Sequence, residues 1–269
     1  MKCPKATSSF LFIFFTLFSL KNFAQISESI VSVPVIDSGS APIKTDTAIF
    51  TKRDTVSKIV IDAKAPITKP LLRNFLSAKS ILAPSLFIGY GFTSLGHNQL
   101  NQLNKQISEE VVEDSKFRTR VDDYLKFAPM AGVYALDALG IKAKHKFVDR
   151  TIVLAISSVL SEQIVTALKH NTHQLRPDGS TYNSFPSGHT TTAFSGAELM
   201  NQEYGARSAW YSVAGYTVAT ATATLRIMNN RHWLGDVIAG AGLGILSTKF
   251  SYWLYYKIKP KITRQKAIY

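Results

Sequence analysis

From Pro70 onward the chain returns again and again to apolar stretches of helical length: Leu71 to Gly96, Tyr124 to Ile141, Thr151 to Leu168, Thr190 to Tyr204, Ser208 to Ile227 and Leu234 to Tyr256. Runs this long, with no two-residue alternation, are too extended for ordinary strands and predict helices. Such helices must bury apolar surface on one another or in lipid. The expected fold class is therefore all-α, a helical bundle of about six core helices that is membrane-associated or membrane-embedded. Asn98 to Asp123 is polar, but Leu103, Ile107, Val111 and Val112 fall at the spacing of an amphipathic helix.

The N-terminal region reads differently. Lys2 and Lys5 precede an apolar run from Phe10 to Leu20, and Ala24 follows as a small residue. This is the order of a secretory signal, with residues 1–24 removed by cleavage after Ala24; the run is short for a bilayer span. Residues 25–69, rich in Ser, Thr, Val, Pro and Asp, predict a flexible arm, in which Val56 to Ile61 alternates like a strand without a partner. A helical domain over 70–257 and a basic tail over 258–269 complete the organisation. The one cysteine, Cys3, lies within the signal, so the mature chain has no thiol for a disulfide, a zinc-thiolate site or a nucleophile.

Lys and Arg outnumber Asp and Glu by 31 to 18, a formal charge of +13 that favours anionic partners. Nucleic acid is not expected among them, because the basic residues are scattered and not interleaved with aromatics. The basic loop Lys142 to Arg150 and the tail from Lys257 to Lys266 favour the cytoplasmic side, which places the loops after Leu168 and after Ile227 outside. A cleaved signal followed by six crossings gives the opposite side for the loop after Leu168. The two agree if Leu71 to Gly96, weakened by Arg73, Lys79 and Pro84, packs without crossing, or if the bundle is wholly periplasmic; both remain open at this point. Glu162 and Gln163 read as polar contacts within the bundle.

Three polar clusters sit where these helices end or begin. Lys169 and Arg176 bring a point charge and a planar guanidinium to one loop, a pairing suited to a tetrahedral oxyanion, although two cations alone also describe a solvated basic loop. Ser187 and Gly188 stand at a helix start, where unpaired backbone N–H groups and a bare glycine can cradle an anion; the plainer reading makes Ser187 an ordinary N-cap. His232 and Asp236 are four apart on a predicted helix, so the carboxylate can accept one imidazole N–H and leave the other nitrogen free to attack. His170 and His173 lack a third ligand and are not taken as a metal site.

Jointly, Lys169-x6-Arg176-Pro177, Pro186-Ser187-Gly188-His189 and Arg226-x5-His232-x3-Asp236 resemble the signature of the type 2 phosphatidic acid phosphatase and vanadium-dependent haloperoxidase superfamily, over roughly Leu125 to Tyr256. The departure is Leu225, where the family usually has Ser. The resemblance implies an acid phosphatase-like helical bundle in which Lys169, Arg176, Ser187, Gly188 and Arg226 hold phosphate oxygens. It also implies that His232 attacks phosphorus, Asp236 orients it, and His189 protonates the leaving oxygen. No metal and no cofactor are implied. The expected substrate is a phosphorylated lipid or a small phosphate ester, hydrolysed as a monoester or pyrophosphate at the periplasmic side of the envelope. The alternatives are a soluble periplasmic acid phosphatase of broad specificity, a haloperoxidase using the same pocket for vanadate, and a non-enzymatic helical envelope protein.

Overall fold

The structure is a computed structural model that describes residues 78–114 and 118–266, so the signal, the arm, the 56–61 patch and the boundary at Pro70 lie outside the described residues. Eight helices are present there and no strand. They are α1 (Ala78–Gly96), α2 (Asn98–Asp114), α3 (Val121–Leu125), α4 (Ala128–Ala138), α5 (Phe147–Thr172), α6 (Gly188–Tyr204), α7 (Ala209–Met228) and α8 (Leu234–Lys266).

The fold is all-helical, and two segments differ from their sequence pattern. Tyr124 to Ile141 divides into α3 and α4, because Pro129, in the first turn of α4, has no N–H to give the Leu125 carbonyl and continue α3. α4 then ends two residues before Gly140, whose φ of +84° suits glycine. In α2 the amphipathic face is more polar than expected. Asn104 and Ser108 are buried beside Ile107 and Val111, whereas Leu103 is exposed. Asn104 has a reason to be inside: its side-chain oxygen accepts the N–H of Gly235 (3.2 Å) in the first turn of α8, a donor with no partner in its own helix.

α6 is the central helix. Most of its residues are buried, and α7, α8 and α4 pack around it. Phe194, Ala197, Tyr216, Ala223, Ile227, Val237 and Ile245 form one core cluster; Val133, Val153, Leu199, Tyr204 and Tyr252 form another toward the far end. Small residues set how closely α8 approaches. A Cβ on Gly244 would lie 2.3 Å from the Thr191 carbonyl, and one on Gly240 would lie 2.7 Å from the carbonyl of Ser187. Backbone cannot yield to such contacts, so α6 and α8 touch main chain to main chain just beneath the start of α6.

α5 behaves differently. Its buried residues, Arg150, Val153, Ser157, Ser161 and Val165, form one narrow stripe, while Phe147, Val148, Ile152 and Val159 point outward. It is long and apolar enough to cross a membrane, with 22% of its apolar window buried by protein. At its N-terminal end Asp149 pairs with Lys259 of α8, and His145 Nδ1 donates to the Glu203 carboxylate (2.9 Å). At its other end stands Lys169. The candidate site and the basic loop 142–150 are thus separated by the length of one helix. Glu162 and Gln163 are exposed on it.

Candidate active site

Three connections converge at the end of the bundle where α5 stops. His173 closes α5 in the left-handed conformation (φ 47°), which turns the chain into the loop 174–187. There Lys169 Nζ donates to the Asn183 carbonyl (2.5 Å), and Arg176 Nε donates to the Asn183 side-chain oxygen (2.9 Å). One asparagine therefore ties both cations of the first cluster to the strand of loop leading into α6. His170 and His173 are exposed and stand apart from this arrangement.

Ser187 is the N-cap of α6, fully buried, its Oγ accepting from the Thr190 N–H (3.4 Å) and the Thr190 hydroxyl (2.9 Å). The plain capping role is real, and it coexists with an anion-binding geometry, since the next N–H groups remain unpaired by the helix. Gly188 is informative here. A Cβ at that position would meet only Val165 at 3.6 Å, an ordinary contact, so packing does not demand a glycine. What glycine leaves open is the approach to the backbone.

The third cluster spans the α7–α8 junction. Arg226, in the last turn of α7, is buried, and His232 and Asp236 are 2% and 1% exposed. Ser187 N–H donates to the carbonyl of Asp236 (3.0 Å), which locks the cradle onto the helix carrying the carboxylate. The expected imidazole–carboxylate hydrogen bond is not formed. His232 Nδ1 lies 3.4 Å from Asp236 Oδ2, and neither Nδ1 nor Asp236 Oδ1 has a hydrogen-bond partner. The reason is competition: Oδ2 already accepts the Ser184 hydroxyl (2.5 Å) and the Trp233 N–H (2.9 Å). Catalytic hydrogen bonds of this kind are often long until substrate binds.

Electrostatics record the convergence. His232 is held well below the ordinary histidine range, first by burial and then by the charges of Arg226, Lys169, Arg176 and His189. Burial pushes the Asp236 carboxyl up to about 7, against the hydrogen bonds from Ser184 and Trp233 and the nearby Lys169 and Arg176. Burial and the surrounding cations thus keep the His232 imidazole neutral, the form in which a histidine can attack. Three cations, two imidazoles and a helix start share one pocket.

Several residues outside the signature complete the site. Asp122 of α3 is 1% exposed; its Oδ2 accepts Arg226 Nη1 at 2.6 Å and its Oδ1 accepts Asn229 Nδ2 at 3.0 Å. Asn229 in turn holds Thr119 through both of its amide atoms, and Arg118 donates to the Met228 carbonyl (2.6 Å), so the chain before α3 is clipped to the end of α7. Asp123 meets His189 Nε2 at 2.8 Å, and Lys126 Nζ approaches the same nitrogen at 3.3 Å. Asn183, Ser184, Asp122, Asp123 and Lys126 were invisible to motif reasoning. The adjacent aspartates opening a short helix are the one local signal that could have marked α3.

Arg231 pairs with Asp178 (2.9 Å) near the surface, and Leu225 is half-buried, its carbonyl accepting the Asn229 N–H (2.8 Å). Among the described residues, Asp122, Asp123 and His189 form a donor group compact enough for a cation. Each already has a protein partner, and Arg226 and Lys126 stand beside them, so the local charge disfavours a metal there.

Comparison with known proteins gives three findings. Residues 150–260 match the family model of the PAP2 superfamily. A lipid A 1-phosphatase of Porphyromonas gingivalis is 45% identical over 139 residues, which cover 51% of this chain and 31% of that protein. The chain thus spans about a third of the length of the curated relative it matches. Among solved structures, a transmembrane PAP2-type phosphatidylglycerolphosphate phosphatase from Bacillus subtilis aligns with a TM-score of 0.47 at 18% identity, over 68% of this chain and 97% of its own. LpxE of Aquifex aeolicus aligns at 0.43 and 21% identity, over 55% and 94%.

Proposed function

We propose that the chain, whose residues 150–260 match the family model of the PAP2 superfamily, is a phosphatase that hydrolyses a phosphomonoester or diphosphate on a lipid, through a phosphohistidine at His232. The observation that carries this reading is a buried, neutral His232 facing a pocket charged by Lys169, Arg176 and Arg226. Phosphoryl transfer needs positioning and charge stabilisation more than covalent help from the protein, and this pocket supplies both. Lys169, Arg176 and Arg226 take the phosphate oxygens together with the N–H groups at the start of α6. His232 attacks phosphorus as the bond to the leaving oxygen breaks, and His189 gives that oxygen its proton. Asp236 steadies the positive charge that develops on His232. Water, deprotonated by His189, then attacks the phosphohistidine; free phosphate leaves and His232 is regenerated.

A lipid substrate is favoured over a soluble ester by α5, whose outward face carries Phe147, Val148, Ile152 and Val159 and whose C-terminal end reaches the site. Its 26 residues span about 39 Å at the helical rise, enough for a bilayer core. The basic loop 142–150 and Lys259 lie at the opposite end, so a cytoplasmic location for them puts the phosphatase site on the outer, periplasmic side. The secretory signal read in residues 1–24 supports the same export. The likeness to lipid A 1-phosphatase points to a glycolipid phosphate as the first substrate to assay.

The test uses purified protein in detergent with EDTA, assayed for phosphate release from lipid A, phosphatidate, phosphatidylglycerol phosphate and soluble esters. Lipid substrates are expected to be preferred, with an acid-labile, alkali-stable phosphoenzyme trapped on denaturation. His232→Ala should lower turnover at least about 10³-fold and yield no phosphoenzyme. A variant that still releases phosphate at the wild-type rate would sink the mechanism.

A further inference from the structure

His189 Nε2 is approached by two groups of opposite character. Asp123 Oδ1 stands at 2.8 Å and Lys126 Nζ at 3.3 Å, both carried by α3 and the turn that follows it. A single ring nitrogen cannot satisfy both at once. When Nε2 carries a proton it donates to the Asp123 carboxylate, and the ammonium is left with the face of the Phe127 ring (4.9 Å). When Nε2 is bare its lone pair accepts from Lys126, and the carboxylate faces a lone pair.

We propose that Asp123 and Lys126 are positioning residues for the proton on His189, Asp123 loading the imidazole with the proton it gives away and Lys126 stabilising the nitrogen once that proton has gone. The inference rests on the role given above to His189, and goes beyond it by assigning the two groups that let one histidine serve as acid and then as base. The steps balance. The imidazolium carries hydrogen on both nitrogens; as the phosphorus–oxygen bond breaks, its electron pair stays on the leaving oxygen, which takes the Nε2 proton. His189 is left neutral with Nε2 bare, and Lys126 Nζ–H turns to that lone pair. When water attacks the phosphohistidine, its proton returns to Nε2 and Asp123 again accepts the bond.

Geometry favours this over a fixed structural clip. Asp123 and His189 keep side-chain exposures of 48% and 23%, unlike the neighbouring Asp122–Arg226 pair, where both side chains are nearly sealed. The first contact can therefore open to admit a leaving oxygen, and the second is built to stay closed. The charged and titratable groups around His189 are Asp123 and Lys126 from the α3 side, Arg226 from α7 and His232 from the α7–α8 connection. Burial and Arg226 hold His189 below the ordinary histidine range; Asp123 works against them and Lys126 with them. Asp123 is in turn held low by its bond to His189.

The experiment compares leaving groups. p-Nitrophenolate departs without a proton, whereas the alkoxide of phosphatidate needs one, so loss of the acid must discriminate between the two. In the full chain, Asp123→Asn is expected to lose roughly tenfold in kcat/KM, which reports the steps up to departure of the leaving group, on phosphatidate and less than about twofold on p-nitrophenyl phosphate, with Asp123→Glu restoring most of the loss. In ¹⁵N-histidine spectra, the His189 midpoint should fall by about half to one pH unit in Asp123→Asn and rise by a similar amount in Lys126→Gln. Equal losses on both substrates, or a His189 midpoint that neither variant moves, would overturn the proposal. His189→Gln separates this failure from failure of the parent mechanism. If it shows the leaving-group split and the α3 variants do not, only the present inference falls; if it shows no split, His189 is not the acid and both fall.

Discussion

Removing the Asp122 carboxylate tests whether α3 belongs to the site or merely lies over it. Asp122 and Arg226 meet at 2.6 Å with side chains 2% and 8% exposed, and Asn229 adds a second bond to the same carboxylate. Asp122→Ala leaves a buried guanidinium without its counter-charge. Breaking such a pair from one side costs about 3–5 kcal/mol, far more than the ~0–1 kcal/mol typical of an exposed pair. For a domain of this size each kcal/mol moves the melting point by about 2–4 °C, so the expected fall is roughly 6–20 °C. Asp122→Asn, which retains a group able to meet Asn229, should fall in between. The assay is thermal unfolding in detergent, with and without inorganic phosphate. A bound anion supplies the missing charge, and an anion at 100 times its dissociation constant contributes about 2.7 kcal/mol. Phosphate should therefore raise the midpoint of Asp122→Ala by more than it raises the wild type. A variant melting within about 2 °C of wild type, or an equal phosphate effect in both proteins, would refute the reasoning.

Ser184→Ala withdraws a donor from the buried Asp236; with a hydrogen bond to a carboxylate worth ~1.5–3 kcal/mol, kcat should fall by about 10- to 100-fold with little change in KM, read by steady-state assay. Gly244→Ala forces a methyl group to within 2.3 Å of the Thr191 carbonyl, and overpacking of this kind should cost ~1–3 kcal/mol by denaturant titration. Val159→Lys places a charge on the exposed apolar face of α5, where insertion at a bilayer centre costs ~2.5–3.5 kcal/mol; the variant should shift from the membrane pellet toward the soluble fraction, and an unchanged distribution would remove α5 as the lipid-facing element.

The helices and the three polar clusters at their ends were legible in the sequence because each rests on local pattern: apolar period, a serine before a helix, a histidine four residues before an aspartate. Convergence of Lys169, Arg176, Arg226 and His232 was legible only through the family signature, since nothing local relates residues 57 positions apart. The contribution of α3 was not legible at all. Tyr124 to Ile141 reads as one continuous helix, and only the break before Pro129 frees residues 121–125 to lie across the site. Asp122 finds Arg226 across 104 residues, a pairing that hydrophobic period cannot announce. The His232–Asp236 spacing did announce a neighbour, but not the competition from Ser184 and Trp233 that holds the two apart.

The glycine contacts between α6 and α8 decide which wall of the site can move. Ser187 is pinned from below by Gly240 and bonded by its own N–H to the Asp236 carbonyl, so the start of α6 and the His232–Asp236 segment ride on a single rigid floor. Among the described residues α3 has no such main-chain seam with its neighbours; side chains anchor it to Arg226, His189 and Asn229. Whatever widening a bound ligand requires is thus channelled into one five-residue helix, and the floor beneath His232 is spared.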